Sequence, residues 1–281
     1  MEMKYNWDWS VLLCRLPEDD PTGTGEAGTT TFGGTTATAG GTAQTFDTGA
    51  DCAQPYLDWI VSGLGWTVVV ACCAWVITIS LGSVIGVSRT VNQPMIRAIA
   101  TTYVEIFRNI PLLVQMFIWF FVVPELLPED AGRWVKRELP LPEYWTAIVC
   151  LGMYHASRTA EQVRAGIESI PLGQTHAGLA TGLTRVQVYR YILLPVSYRI
   201  IIPPLTSDFM GIFKNSSVAL TIGVMELTAQ SRQIAEYTFN IFEAFTVATV
   251  LYMMVTLIVV TVMRVVEAKV RIPGTIAMGG G

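Results

Sequence analysis

Two long stretches of the chain carry no charged side chain. Residues 59–88 form a run of thirty such positions, and residues 244–263 form a run of twenty. Each is long enough for a helix to cross the hydrocarbon of a bilayer, which takes about 20 residues. Residues 95–124, 144–167 and 199–225 are long enough too, but each contains charged residues. The pattern predicts an all-α integral membrane protein with five transmembrane helices, the last over residues 244–264.

Composition supports the membrane assignment. Only 14% of the residues are charged and 52% are hydrophobic, whereas soluble domains carry about 25% charged residues. The net charge of −4 disfavours a nucleic-acid partner, since such proteins cluster Lys and Arg against phosphates. The five cysteines and two histidines lack metal-ligand spacing, so we expect no metal site.

The predicted domains follow from these spans. Residues 1–56 form an extracytoplasmic segment with a Thr/Gly-rich insertion over about 17–54, residues 57–274 form the transmembrane domain, and residues 275–281 form a cytoplasmic tail. Composition predicts that the insertion is loosely held. Cys14 and Cys52 flank it, and an oxidising compartment would permit a disulfide between them. A pair of unbridged thiols is the alternative.

The basic residues set the expected orientation. Connectors 89–97, 164–199 and 264–281 contain nine Lys/Arg in 63 residues, whereas the segments on the other side contain six in 95. Because Lys and Arg concentrate in cytoplasmic loops, the C-terminus is predicted to be cytoplasmic and the N-terminus extracytoplasmic.

Charged residues inside three predicted spans indicate a polar pathway. A charge within hydrocarbon costs roughly 2.5–3.5 kcal/mol on insertion scales and requires a partner or a polar cavity. The spacing allows pairing within each segment, as for Glu105 with Arg108, for Glu161 with Arg158 and Arg164, and for Asp208 with Lys214. The alternative is that these side chains snorkel to the interface. The predicted pathway residues are Glu105, Arg108, Asn109, Gln115, Arg158, Glu161, Lys214, Asn215 and Ser216.

Prolines fall in the same spans. Pro111, Pro203 and Pro204 are predicted to interrupt their helices, and interrupted helices at membrane depth often frame binding sites. A kink without function is the alternative for each of them.

The connector 171–198 is too polar to cross the membrane and is predicted to form two short helices. The first covers 174–181, and Gly182 suits the left-handed residue that ends it. Thr184 and Gln187 form a capping box for the second helix, and Pro195 is expected to close the unit. Such a pair could transmit force from a cytoplasmic partner, or it could be a plain interfacial connector.

Five motifs carry a resemblance to a known family. The connector resembles the signature loop of ABC importer permeases through Gly173, Ala177, Gly182 and Ile192-Leu193-Leu194-Pro195, although His176-Ala177-Gly178 stands where the family has Glu-Ala-Ala. Residues 57–274 are similar to polar amino-acid permeases of the glutamate/aspartate branch. The other matching motifs are YVEIFRNIPLLVQ, EQVRAGIESIPLGQ, LLPVSYRIIIPPLTS and FKNSSVALTIG.

The resemblance implies a type I importer fold in the bacterial inner (plasma) membrane, with a cytoplasmic coupling loop and several partners. These are a second permease subunit in a homo- or heterodimer, two cytoplasmic ATPase subunits that bind ATP and Mg, and an extracytoplasmic solute-binding protein. Coupling to the ATPase is expected at Gly173, His176, Ala177, Gly178, Gly182 and Pro195. The chain has no G-x-x-x-x-G-K-[ST] loop, so it is predicted to be a permease without a cofactor of its own and not an enzyme.

The sequence identifies the substrate less closely than it identifies the family. Arg108, Arg158 and Lys214 could receive carboxylates through charge-assisted hydrogen bonds, and the branch resemblance favours glutamate and aspartate. Permeases for glutamine, arginine or histidine are alternatives, as is an ion-coupled secondary transporter using Glu105, Glu161 and Asp208. A membrane enzyme using His155 or His176 as a base is a further one.

Overall fold

The computed structural model describes Trp7, Trp9, Leu12 and residues 56–270. Cys14, Cys52, the insertion over 17–54 and the tail over 275–281 lie outside the described residues. Within residues 56–270 all regular secondary structure is helical, and there is no strand. The α-helices are α1 Tyr56–Ser88, α2 Pro94–Asn109, α3 Leu112–Phe117, α4 Val123–Leu126, α5 Glu129–Arg133, α6 Pro142–Glu168, α7 Leu172–Ala180, α8 Arg185–Val188, α9 Leu194–Asn215, α10 Leu227–Thr238 and α11 Ile241–Val270.

The centre of the structure is the pair α1 and α6, which pack along much of their length. Small residues make the close approach possible, because a Cβ at Gly82 or Gly86 would lie under 3.0 Å from atoms of α6. A Cβ at Gly152 of α6 would lie 2.7 Å from Ile77. Thr78 adds a hydrogen bond of 3.2 Å from its hydroxyl to the Gly152 carbonyl. Small residues at such contacts are typical of helix packing in membranes.

The second predicted span is sharply bent. Helix α2 ends at Asn109, and the segment Leu112–Leu126 leaves at 106° to it. Pro111, at the N-cap of α3, has φ −57° and ψ 139°, so the predicted interruption at this proline is confirmed. Gln115 fixes the bend, since its amide donates to the carbonyls of Phe107 and Ile110, both at 2.8 Å.

The other two prolines do not interrupt their helix, so this prediction was wrong. Helix α9 runs unbroken from Leu194 to Asn215 with Pro203 and Pro204 inside it. The two prolines lack N–H groups for the helical hydrogen bonds, but buried residues before and after them, Ile201 and Leu205, hold the helix in place by packing. Ile201 is buried, and its Cγ2 occupies the space at Gly166 of α6.

Pro195 likewise does not close the connector. A π-helical turn, Tyr189–Leu193, joins α8 to α9, so that the helical path continues through this proline. In the wide turn the Leu194 N–H donates to the Tyr189 carbonyl. Because this turn is wider than an α-helical turn, it accommodates the Pro195 ring and the missing N–H. Both would break a regular α-helix.

Two helices, α1 and α11, are long and apolar enough to cross a membrane, and the bent pair α2 with Leu112–Leu126 makes a third if it counts as one span. These numbers refer to the described part of the chain. Helices α6 and α9, with 27 and 22 residues, correspond to the remaining predicted spans. Both are less apolar than α1 and α11, so the total of five spans stays a prediction.

Candidate functional site

One carboxylate on α6 contacts three arginines. Glu161 Oε2 pairs with Arg89 Nη1 and lies 3.6 Å from Arg108 Nη1, and Glu161 Oε1 lies 3.5 Å from Arg164 Nη1. We name Glu161, Arg89, Arg108 and Arg164 the Glu161 cluster. Because Arg89 follows α1, Arg108 lies in the last turn of α2 and Arg164 belongs to α6, the cluster connects three helices.

The predicted pairing within each segment is wrong for two of the three segments. Arg108 reaches Glu161 on α6, while Glu105 accepts a 3.3 Å hydrogen bond from Asn109. Asp208 on α9 accepts from the Gln162 amide at 2.6 Å. Only the pair Glu161 and Arg164 keeps the predicted i,i+3 spacing. Periodicity on one helix cannot reveal partners that packing brings from another.

The predicted cations are accessible. The Arg108 side chain is 48% exposed, and Arg158 and Lys214 are also exposed. Arg158 lies over the Tyr154 ring at 5.3 Å and donates to the Tyr154 hydroxyl at 3.2 Å. This aromatic contact holds the guanidinium without neutralising its charge.

Other predicted pathway residues are occupied by internal contacts. Gln115 is buried at the bend described above, and Ser216 is buried with its hydroxyl donating to the Phe213 carbonyl at 2.7 Å. Asn215 lies 3.0 Å from His155, Nδ2 to Nε2, across the α6–α9 contact. His155 is fully buried. Its burial and its amide neighbour describe a packing role and not that of an accessible base.

The predicted coupling loop folds as a helical hairpin. Gly182 has φ +87°, the left-handed conformation that ends helices, and Thr184 with Gln187 makes both hydrogen bonds of a capping box. These two predictions are confirmed, and the first helix runs over Leu172–Ala180. Gly173, His176 and Ala177 are exposed, whereas Gly178 is buried against Ile192. The exposed positions are available to a partner, and Gly178 sets the spacing within the hairpin.

Sequence reasoning missed a buried carboxylate at the opposite end of the described helices. Glu226 is fully buried at the N-cap of α10, where Oε2 and Oε1 accept from the N–H groups of Thr228 and Ala229, both at 2.9 Å. The Tyr252 hydroxyl on α11 donates to Glu226 Oε2 at 2.5 Å. We name these four residues the Glu226 anchor. An acidic residue just before an amphipathic helix was the available signal.

Comparison with known proteins agrees with this geometry. The family model for the binding-protein-dependent transport system inner membrane component matches residues 78–272. The glutamate/aspartate import permease protein GltJ of Escherichia coli (strain K12) is 41% identical over 280 residues, covering 99% of this chain and all of that protein. The glutamine transport system permease protein GlnP of the same organism is 27% identical over 78% of this chain and 95% of its own length.

A solved structure described as an amino acid ABC transporter with histidines has a TM-score of 0.65 and 25% identity, over 76% of this chain and 95% of its own. The family match and the full-length relative establish the class that the sequence motifs indicated. This chain is therefore a multi-pass membrane permease subunit that belongs to the family of binding-protein-dependent transport system inner membrane components, in the glutamate/aspartate branch of amino-acid ABC permeases.

Proposed function

We propose that this chain forms the translocation path of an ATP-driven importer of glutamate and aspartate. The similarity to a full-length permease named for these two substrates carries the proposal. The exposed cations Arg108, Arg158 and Lys214 support it, because an acidic amino acid has two carboxylates and one ammonium group. A guanidinium can hold a carboxylate by two parallel hydrogen bonds.

The proposed substrate path runs beside the Glu161 cluster. Arg108 is 3.6 Å from Glu161 and about half exposed, so it can exchange this distant partner for a substrate carboxylate. Arg158, on the same helix as Glu161, offers a second guanidinium, which lies over the Tyr154 ring. Glu105, Asn109 and Asn215 are proposed to contribute polar edges to the same path, while Gln115 and Ser216 shape its walls.

Transport is proposed to proceed by alternating access. Two cytoplasmic ATPase subunits would bind ATP and Mg, a second permease chain would complete the path, and an extracytoplasmic binding protein would deliver the solute. The hairpin formed by α7 and α8 is the proposed contact with the ATPase, through Gly173, His176, Ala177 and Gly182. With five spans, the N-terminus is extracytoplasmic and the C-terminus cytoplasmic in the bacterial inner membrane.

Uptake of labelled glutamate by the reconstituted complex tests the substrate assignment. We expect unlabelled aspartate to compete strongly and glutamine and arginine to compete weakly. Arg158→Gln is expected to reduce glutamate uptake at least fivefold, since one carboxylate contact is lost. Arg232→Gln is the matched control, because Arg232 is exposed and pairs with Glu236 on α10. Stronger competition by arginine than by aspartate would refute the assignment.

Glutamine is a second candidate substrate, supported by the similarity to a glutamine permease over 78% of this chain. The same competition experiment separates the two candidates. An ion-coupled mechanism is separated by omitting the ATPase subunits, since uptake driven by a sodium or proton gradient alone would then persist. We expect no uptake without the ATPase and ATP.

A further inference from the structure

A cavity of about 630 Å³ lies beside the coupling loop. It is bounded by the end of α1, the start of α2, the end of α6 and the start of α7. Its polar lining residues are Arg89, Thr90, Arg97, Thr101, Arg164, Glu168, Thr175 and Tyr189. Its apolar lining residues are Ile167, Ile170, Leu172 and Leu193. None of these is a proposed pathway residue.

The cavity wall is rich in positive charge. Arg89, Arg97 and Arg164 line it with Glu168 as the one carboxylate among its lining residues. Arg164 Nε pairs with Glu168 Oε1 at 2.9 Å, and Arg89 and Arg164 share Glu161 with Arg108. Three arginines therefore share two carboxylates, and a fourth, Arg97, donates at 3.3 Å to the backbone carbonyl of Val91.

The excess of positive charge matters most at Arg89, because this side chain is buried away from water. The residue is only 7% exposed, and its Nε–H has no hydrogen-bond partner among the described residues. Its counter-ion is a carboxylate shared with two other guanidiniums. Buried charge that is incompletely compensated is costly, so a further anion beside Arg89 would stabilise this end of the protein.

We propose that this cavity binds a phosphate group, supplied either by the headgroup of an anionic phospholipid or by a free phosphate compound. Clustered arginines match phosphate oxygens through several parallel N–H donors. The mixed wall fits this ligand, since hydroxyl-bearing Thr90 and Tyr189, which share a 3.1 Å hydrogen bond, adjoin the apolar Ile167 and Leu193. On the proposed orientation, this side faces the cytoplasmic leaflet, which carries anionic lipids.

The location connects binding to the coupling loop. Leu172 and Thr175 of α7 form one wall, while Arg97 and Thr101 of α2 form another. A bound phosphate would therefore bridge the loop proposed to contact the ATPase and the helix that carries Arg108. The cavity adjoins the proposed amino-acid path at the Glu161 cluster, since Arg89 and Arg164 line it, but phosphate binding does not depend on which amino acid is transported.

Ligand binding to the delipidated complex of permease and ATPase subunits tests this proposal. The probes are dioctanoyl phosphatidylglycerol, inorganic phosphate and dioctanoyl phosphatidylcholine, each titrated by calorimetry. We expect saturable binding of one of the first two, and at least fivefold weaker binding in Arg97→Gln. Arg232→Gln should bind as the unmodified complex does, because Arg232 is exposed and lies on α10, away from the cavity.

The two phosphate sources give different outcomes. Binding of phosphatidylglycerol without inorganic phosphate identifies a lipid headgroup, whereas binding of inorganic phosphate that Arg97→Gln weakens identifies a free phosphate compound. The proposal is overturned if neither phosphatidylglycerol nor inorganic phosphate binds saturably, as would happen if an ATPase subunit filled the cavity. It is also overturned if Arg97→Gln leaves the binding unchanged. Because Arg97 is exposed, the variant should fold, and equal melting temperatures verify this. Glutamate uptake measured in parallel tests the proposed function independently.

Discussion

Two acidic residues at opposite ends of the described helices are compensated in different ways. Glu226 is fully buried, and the donors that compensate it are two backbone N–H groups and one tyrosine hydroxyl. Glu161 is 35% exposed and faces three guanidiniums at differing distances. One carboxylate is held by fixed dipoles, and the other by long, flexible cations.

The difference indicates which end can rearrange. The donors of the Glu226 anchor are parts of the α10 backbone and a rigid ring, and α1 approaches α10 so closely at Gly63 that a Cβ there would lie 2.8 Å from Gln230. Arginine side chains, in contrast, can exchange partners at little cost when they are partly exposed. We infer that the Glu226 anchor is a fixed support and that the Glu161 cluster can change partners during transport.

Removing the buried carboxylate should have the largest effect on stability. Glu226→Ala removes the carboxylate that accepts from two backbone N–H groups and from the Tyr252 hydroxyl, and we expect a loss of about 3 kcal/mol in the free energy of unfolding. Thermal unfolding of the purified complex measures it. Glu236→Ala, an exposed position on the same helix, should change stability by less than about 1 kcal/mol. Similar losses of unfolding free energy in both variants would contradict a stabilising role of the Glu226 anchor.

Neutralising Glu161 should lower the free energy of unfolding less than Glu226→Ala does, but it should reduce transport strongly. Glu161→Gln removes the counter-ion of buried Arg89 but keeps a side-chain oxygen that can accept its N–H, so we expect a loss of about 1–2 kcal/mol. Glutamate uptake should fall at least tenfold, because the partner exchange proposed for Arg108 is lost. Glu168→Gln is the control, since Glu168 is exposed and pairs with Arg164. Retained uptake in Glu161→Gln would exclude a role for the cluster in transport.

Removing one hydroxyl from the anchor should give a moderate effect. Tyr252→Phe keeps the ring but removes a donor to Glu226 and a contact of 3.0 Å with the Thr228 hydroxyl. We expect a loss of about 1 kcal/mol, as for one buried hydrogen bond. Tyr237→Phe alters an exposed tyrosine and should leave the melting temperature unchanged. A neutral result for Tyr252→Phe would argue that backbone donors alone fix Glu226.

The smallest stability effect is expected for Arg108. Arg108→Gln breaks a contact of 3.6 Å at a half-exposed side chain, so the free energy of unfolding should change by less than about 0.5 kcal/mol. Uptake of glutamate should nevertheless fall, with a raised KM, because Arg108 is proposed to hold a substrate carboxylate. A variant with altered stability and unaltered KM would assign Arg108 to structure instead.

Local features of the fold could be predicted from the sequence. The capping box at Thr184 and the left-handed Gly182 depend on neighbouring residues, and both are present. Features that depend on packing between helices could not. Pro203 and Pro204 remain helical because flanking residues pack on α6, and Arg108 finds its partner on another helix. Arg89 was counted only as an indicator of orientation, since nothing local marks it as buried.

The unbroken course of α8, the π turn and α9 has a mechanical consequence. From Arg185 to Asn215 the chain has no loop, and at 1.5 Å per residue it forms a rod of about 45 Å. A tilt of roughly 10° at the hairpin would swing the far end, where Lys214 lies, through about 8 Å if the rod stays stiff. The Pro203–Pro204 step, which lacks two backbone donors, is the place where such a rod would flex.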